Sequence, residues 1–302
     1  MLRKSRTFVV IFFILSVAIF VMFRLARAAA TDRTIPVIEM DSDSITVSVE
    51  GGDEAILEGV RATDGKDGDI TDNLFIESRT TFLEKGRFEV TIAVADSDNH
   101  ISKATRGVVY SDYKSPQFSL SGPLKYQTSR ESQDDLNVAR SLSAKDVIDG
   151  NISNKIKISS DYSINSNSPG DYHMEFVVSN SMGDTVHLPV TVTIYSSSQE
   201  SGLPQIMLTK YLVNTPAGQP IDILSLIDQI NYHNSTYRRG EDGNYYNGEF
   251  TADGNAVMFS SDSVQINSDI DWNTPGVYEV NIVFTDANAG LSNYARCYVV
   301  VY

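Results

Sequence analysis

The sequence predicts an all-β protein in which tandem immunoglobulin-like antiparallel β-sandwiches follow one N-terminal hydrophobic helix. Three observations predict this fold class: an uncharged apolar run near the N-terminus, a threefold internal repeat, and alternation of apolar and polar side chains within each repeat. Alternation with a period of two is typical of half-buried strands. Several such strands in about 100 residues are typical of a Greek-key sandwich.

The first element is the uncharged run Phe8–Phe23, which follows three basic residues and is followed by Arg24. A membrane span needs about 20 apolar residues. The run can continue past Arg24 if the charged end of this side chain reaches the boundary between membrane and water. Residues 1–31 are therefore predicted to be a signal-anchor that leaves the C-terminal part outside the cytoplasm. The alternative is a cleaved signal peptide and a secreted product, since the small residues around Ala28 are compatible with cleavage.

Composition limits the partners and the chemistry of the exported part. The formal net charge is −15, and all 39 acidic residues lie beyond residue 30. Such a charge disfavours nucleic acid as a partner. The single cysteine, Cys297, forms no intramolecular disulfide, so packing must stabilise the fold. It shares a strand face with Ala295 and Val299, and we expect it to be a buried apolar side chain.

Three repeats occupy residues 32–112, 113–197 and 203–302, with a serine-rich linker before the third. Each begins with a proline in an extended stretch and ends with a glycine turn, a strand led by an aromatic residue, a polar turn and a final strand. The prolines are Pro36, Pro116 and Pro204, and the strand aromatics are Phe88, Tyr172 and Tyr278. Turn residues between the alternating segments predict hairpins.

A loop motif occurs in both the first and the second repeat. Residues Ala62–Thr71 read Ala-Thr-Asp-Gly-Lys-Asp-Gly-Asp-Ile-Thr, and Ala144–Ser153 read Ala-Lys-Asp-Val-Ile-Asp-Gly-Asn-Ile-Ser. This pattern resembles the bacterial immunoglobulin-like repeat family that is named after an insecticidal crystal protein and is common in surface proteins of Gram-positive bacteria. The resemblance implies a sandwich fold and an adhesive, spacer or binding role without catalysis.

The acidic loop of the first repeat is a candidate metal site. Asp64, Asp67 and Asp69, with Asp96 in a turn that we expect at the same end, supply the hard oxygen ligands that Ca²⁺ prefers. The alternative is a purely structural loop, because aspartate and glycine are favoured in turns, where the carboxylate accepts backbone N–H groups. No other cofactor is predicted.

An insertion distinguishes the third repeat. From the first proline to the strand aromatic there are 74 residues in this repeat, against 52 and 56 in the others. The extra segment contains a group of aromatic and basic residues that are candidate binding residues: Tyr232, Tyr237, Arg238, Arg239, Tyr245 and Tyr246. Tyrosines beside short polar side chains are typical of adaptable contact surfaces and are suited to stacking on sugar rings. The alternative is an extended hairpin whose tyrosines only cover the sandwich.

The sequence contains no motif that indicates catalysis. No serine lies in a nucleophile elbow, and no histidine and acid have the spacing of a triad. We therefore predict a non-enzymatic, membrane-anchored surface protein that acts as a stalk, adhesion or protein-interaction module. The alternatives are a carbohydrate-binding surface module that uses the insertion and an unrecognised cell-envelope enzyme.

Overall fold

The computed structural model describes residues 2–30, 33–128, 138–159, 164–247 and 258–302. It begins with the helix α1 (Leu2–Ala30), in which Phe8–Leu25 is long and apolar enough to cross a membrane, with a mean hydropathy of 2.8. The described side chains of this segment are exposed to solvent. Length and composition of this kind are shared by membrane anchors and signal sequences.

The first sandwich contains two sheets and the short helix α2 (Gly52–Leu57). Its strands are β1 (Val37–Met40), β2 (Ser44–Val47), β3 (Val60–Asp64), β4 (Gly68–Asp69), β5 (Phe75–Arg79), β6 (Arg87–Ala95) and β7 (Ile101–Tyr110). One sheet has the order β1-β3-β4 and the other β2-β7-β6-β5, with β2 parallel to β7. In β6, the buried Phe88, Val90 and Ile92 alternate with residues that face outward, which confirms the predicted period of two.

The second sandwich repeats this arrangement. Its strands are β8 (Gln117–Leu120), β9 (Lys125–Gln127), β10 (Leu142–Asp146), β11 (Gly150–Asn151), β12 (Lys157–Ile158), β13 (Gly170–Ser179) and β14 (Thr185–Tyr195). The two sheets have the orders β11-β10-β8 and β12-β13-β14-β9. Between them lie fully buried side chains such as Phe176, Leu188 and Val192, so the packing of two apolar sheet faces forms the core.

The third sandwich has the same four-stranded sheet but a larger partner sheet. After α3 (Ser197–Glu200), its strands are β15 (Gln205–Leu208), β16 (Leu212–Thr215), β17 (Ile227–Tyr232), β18 (Ser235–Arg239), β19 (Tyr245–Asn247), β20 (Met258–Phe259), β21 (Val264–Ser268), β22 (Gly276–Asp286) and β23 (Leu291–Val301). The sheet orders are β16-β23-β22-β21 and β15-β17-β18-β19-β20. Cys297 is fully buried in this core, among residues such as Val280 and Val299.

The described chain divides into two compact units, Met1–Tyr113 and Lys114–Tyr302. The second unit therefore contains two sandwiches, which share one continuous cluster of buried apolar side chains. The fold class predicted from the sequence, sandwiches after one hydrophobic helix, is confirmed.

A network of charged and aromatic side chains joins the two sandwiches of the second unit; we call it the joint. Arg296 of β23, whose side chain is only 12% exposed, pairs with Asp171 of β13 at 3.0 Å and with Glu279 of β22 at 2.9 Å. The hydroxyl of Tyr298 accepts the backbone N–H of Thr191 at 2.8 Å and donates to its carbonyl at 3.1 Å. These contacts fix the strand β14 of one sandwich against β23 of the next.

The linker contributes a second ion pair to the joint. Lys125 of β9 lies 2.7 Å from Glu200 of α3, and both side chains are mostly buried. The Lys125 ammonium also lies 5.5 Å and 5.4 Å from the ring centroids of Tyr195 and Tyr294, which belong to different sandwiches. Cation–π contact in a partly desolvated position adds to the ion pair.

Candidate binding surface of the third sandwich

The insertion of the third repeat forms the hairpins β17–β18 and β18–β19 and ends at the edge strand β20. These strands enlarge a sheet of three strands to one of five. In the first two sandwiches the corresponding sheet ends at the short strands β4 and β11, which belong to the acidic loop motif. The insertion therefore replaces that loop by a sheet extension.

Strand register shows which residue of the third repeat occupies the position of the motif's first aspartate. The residue after each opening proline pairs with Thr63, Lys145 or Asn231, so Asp64, Asp146 and Tyr232 follow at equivalent positions. Tyr232 donates its hydroxyl to Oδ2 of Asp286, the last residue of β22, at 3.1 Å. In the second sandwich, Asn180 donates to Asp146 Oδ2 at the same distance. Tyr232 therefore takes over the structural role of the motif's first aspartate.

Three of the four tyrosines in the insertion belong to the core, which corrects the expectation that they form a binding cluster. Tyr232, Tyr237 and Tyr245 are 4%, 6% and 1% exposed. The rings of Tyr232 and Tyr237 pack against Phe259, with centroids 6.1 Å and 4.9 Å away. They cover the sandwich, as the alternative interpretation expected, because the register turns them inward.

The other candidate residues of the insertion remain accessible. Arg238 is exposed and donates from Nη2 to Gln229 Oε1 at 3.1 Å. Tyr246, which pairs with Arg238 across the strands, donates its hydroxyl to Asp242. Arg239 lies 3.5 Å from Asp222 in an exposed ion pair, so its charge is partly compensated.

The outward face of the five-stranded sheet carries a cross-strand row of polar and flexible side chains. Register aligns Met207, Gln229, Arg238 and Tyr246 on neighbouring strands, and Asn231 and Thr236 form a second pair beside them. Neighbouring strands are about 4.8 Å apart, so the row from Met207 to Tyr246 is about 14 Å long.

A groove adjoins this face where β17 turns into β18. Its volume is about 520 Å³, and its polar lining includes Asn231, His233, Asn234, Ser235 and Thr236. His233 and Asn234 are the two central residues of the turn and have φ values of 47° and 61°. Both residues are in the left-handed region that two-residue hairpin turns require and that glycine adopts at lower cost. The His233 ring stacks on Tyr232 with centroids 3.9 Å apart.

The four candidate calcium ligands of the first sandwich accept hydrogen bonds from their own loops or from neighbouring segments. Asp64 accepts the N–H groups of Lys66 and Asp67 at 2.8 Å and 3.0 Å and the Thr34 hydroxyl at 2.9 Å. The N–H of Asp67 is the largest of the causes that lower the pKa of the Asp64 carboxyl to about 2. Asp67 accepts both the N–H and the hydroxyl of Ser97.

The remaining two candidates behave in the same way. Asp69 accepts the N–H of Thr71 at 3.0 Å, and Thr71 holds the pKa of this carboxyl below its ordinary value. Burial alone would raise the pKa of Asp96, but donation from the backbone and ring of His100 lowers it overall. No group of three or more metal-ligating side chains is arranged around a common centre in the described part of the chain.

The same loop contacts recur in the second sandwich, where the acid content is lower. Asp146 accepts two backbone N–H groups at 2.9 Å, and Asp149 accepts the N–H and hydroxyl of Ser181. Asn151 replaces Asp69 and still accepts the N–H of Ser153 at 3.0 Å. Since asparagine maintains this bond without a charge, the shared function of the motif is to order the loop.

The joint is the feature that sequence reasoning missed. Arg296 and Tyr298 lie on the face of β23 opposite to Cys297, together with Tyr294. Two tyrosines on the outward face of a strand whose inward face is already apolar are a signal that both faces are covered. No local sequence pattern indicates the ion pairs of Asp171, Glu279 and Lys125, because ion pairs between repeats depend on how the repeats pack in three dimensions.

Comparison with known proteins finds structural likeness only at the level of β-rich architecture. No protein-family profile and no curated protein matches the sequence. One similar structure contains CBM51-2 in complex with GlcNAc and INT domains from Clostridium perfringens ZmpB. It is 19% identical over 48% of this chain and 29% of that one, with a TM-score of 0.21.

Two further structures have the same low similarity. A lipoprotein from Bacteroides thetaiotaomicron is 12% identical over 61% of this chain and 98% of that one, with a TM-score of 0.22. Drosophila N-cadherin EC1-4 is 12% identical over 90% of this chain and 76% of that one, with a TM-score of 0.21. This chain spans less than a third of the ZmpB structure, and at these scores the likenesses carry no functional argument.

Proposed function

We propose that the chain is a non-enzymatic, extracytoplasmic surface protein of the bacterial immunoglobulin-like type, attached to the cell membrane by α1 and acting as a stalk and interaction module. The joint is the observation that carries this proposal. Its two ion-pair networks and the Tyr298 contacts hold the last two sandwiches as one compact unit. A module held in this way presents the third sandwich in a fixed orientation relative to the second.

The chemistry of the reactive side chains supports a non-enzymatic role. Cys297 is fully buried, and burial raises the pKa of its thiol to about 12, so it is a poor nucleophile at neutral pH. The clustered aspartates of the first loop accept hydrogen bonds from backbone N–H groups. Such carboxylates are suited to ordering a turn rather than to proton transfer.

The location is tested by labelling intact cells that express the full chain with the substitution Ser198→Cys. Ser198 is exposed on α3, whereas Cys297 is buried and serves as an internal control. We expect a membrane-impermeant maleimide to label the variant, but not the parent, without lysis. Labelling that requires lysis would place the sandwiches in the cytoplasm and refute the proposal.

Fractionation of the same cells separates the anchored protein from a secreted one. An uncleaved α1 predicts that the full-length chain remains with the membrane after alkaline extraction. A shortened chain in the medium, starting near Ala30 by N-terminal sequencing, would instead identify α1 as a cleaved signal peptide.

One observation favours glycan binding as a second function. Arg238 and Tyr246 lie side by side on an exposed face of the insertion, beside the amide of Gln229, and the Tyr246 hydroxyl is bonded to the Asp242 carboxylate. An aromatic ring beside planar hydrogen-bonding groups is suited to sugar rings.

A further inference from the structure

We infer that the β17–β18 turn groove and the adjoining outward face of the five-stranded sheet form a binding site for an acidic oligosaccharide. The inference deepens the second function proposed above and identifies its site. The residues that carry it are Asn231, Asn234, Thr236 and Arg238, none of which belongs to the buried tyrosine cluster.

Charge is the first argument. The chain contains 39 acidic residues and has a net charge of −15, yet the lining of the groove contains no carboxylate. Arg238 is exposed on the same face, two residues along β18 from Thr236, and no carboxylate pairs with it in the described part of the chain. A groove without carboxylates, next to a sheet face that carries a guanidinium without an ion-pair partner, favours a ligand with an anionic group.

Hydrogen-bonding capacity is the second argument. The oxygen of the Asn231 amide accepts from Gln229 Nε2 at 3.2 Å and from Thr236 Oγ1 at 2.9 Å, while Gln229 Oε1 accepts from Arg238. These bonds connect the four side chains across β17 and β18, so little rotamer entropy is lost on binding. Sugar hydroxyls both donate and accept, and they match amides and hydroxyls held at fixed positions.

The size of the groove is the third argument. It is shallow and open, and its volume of about 520 Å³ leaves room for one face of a sugar ring to lie against the turn. The adjoining row from Met207 to Tyr246 gives a longer ligand room to continue over the sheet. An oligosaccharide fits this geometry, with one sugar in the groove and its acidic group near Arg238.

The turn backbone fixes two side chains of the groove lining. His233 and Asn234 are two of the three residues other than glycine with positive φ in the described chain; the third is Asn99. The two-residue hairpin turn requires this conformation, and it places both side chains beside the groove.

The test uses the full chain in detergent on an array of neutral, carboxylated and sulfated oligosaccharides. We expect carboxylated sugars to bind, with affinity that falls as salt is raised. Arg238→Gln and Asn234→Gly should each weaken binding at least about tenfold, since each removes one charged or amide contact. Glycine adopts the positive φ of this position without steric cost. A loss of affinity in Asn234→Gly would therefore not reflect unfolding of the turn.

Two matched variants serve as controls. Asn99→Gly makes the same change at a positive φ in the first sandwich, and Arg87→Gln removes an exposed arginine there. Both should bind like the parent. Failure of the parent to bind any sugar, or equal binding by Arg238→Gln, Asn234→Gly and the parent, would overturn the inference. Neither result would affect the surface location, which the maleimide labelling tests separately.

Discussion

At the scale of single residues, the acidic loop illustrates how a carboxylate can order a turn. Asp64 accepts two backbone N–H groups and one hydroxyl, and these bonds favour its charged form. Its pKa in the folded state, about 2, is below its ordinary value of 3.8. Asp64 therefore stabilises the folded state above about pH 4, and this contribution is lost as the pH falls toward 2.

The first prediction follows from this shift. Asp64→Ala should lower the stability of the first sandwich at pH 7 and reduce the further loss between pH 5 and about 2, because the titrating group is gone. Urea denaturation of the variant and the parent at several pH values measures both effects. Asp72→Ala, at an exposed position in the same loop, is the matched control and should behave like the parent. Equal pH dependence in all three chains would contradict the assignment.

The second prediction concerns calcium. Because Asp64, Asp67, Asp69 and Asp96 are occupied by loop donors, about 1 mM Ca²⁺ should leave the Tm of the first sandwich unchanged. Calorimetry of the full chain with Ca²⁺ and with a chelator provides the measurement. A calcium-dependent rise in Tm that Asp67→Asn removes would show that the loop does bind the ion.

Tyr245 provides the third prediction. Its ring is 1% exposed, and no described residue bonds to its buried hydroxyl. Tyr245→Ala should destabilise the second unit by about 3–5 kcal/mol through loss of packing. Tyr245→Phe should be at least as stable as the parent, since it removes a desolvated polar group. Tyr246→Ala, at the neighbouring half-exposed position, should change stability by less than about 1 kcal/mol. A large loss with phenylalanine would mean that the hydroxyl is bonded after all.

At the scale of elements, local sequence patterns were sufficient to predict the strands but not the contacts that their side chains make. The alternation in β6, β13 and β22 is a local property, and it predicted these strands and their inward faces. The insertion was recognised by its length, but the orientation of Tyr232, Tyr237 and Tyr245 depends on register, which one sequence does not specify. Arg296 was missed because its partners, Asp171 and Glu279, come from two different sandwiches.

The fourth prediction tests the joint as an element-level contact. Arg296→Ala removes a mostly buried guanidinium from Asp171 and Glu279, whose side chains are 45% and 35% exposed, so the loss of these charged hydrogen bonds should cost about 1–2 kcal/mol. Arg87→Ala removes an exposed arginine, 3.9 Å from Glu84, and should cost less than about 1 kcal/mol. Guanidinium denaturation compares the two, and limited proteolysis of the Arg296→Ala chain should show faster cleavage in the linker near Ser198. Equal costs would mean that Arg296 contributes little to the joint.

At the scale of the whole molecule, three sandwiches form two compact units. The continuous buried cluster and the joint couple the second and third sandwiches, so opening one exposes apolar surface of the other. Repeat architecture alone would suggest three similar, nearly independent domains. The contacts of Arg296, Tyr298 and Lys125 instead predict that the second and third repeats unfold together, so that the chain has fewer unfolding transitions than repeats.

The fifth prediction is that calorimetry of the full chain resolves two unfolding transitions rather than three. One belongs to the first sandwich and should shift with Asp64→Ala; the other belongs to the second unit and should have the larger enthalpy, since enthalpy increases with the number of residues that unfold together. Because Arg296→Ala weakens the joint, it should broaden or split only the larger transition. Three transitions in the parent would show that the joint does not couple the sandwiches, and a fixed presentation of the third sandwich would then lack a physical basis.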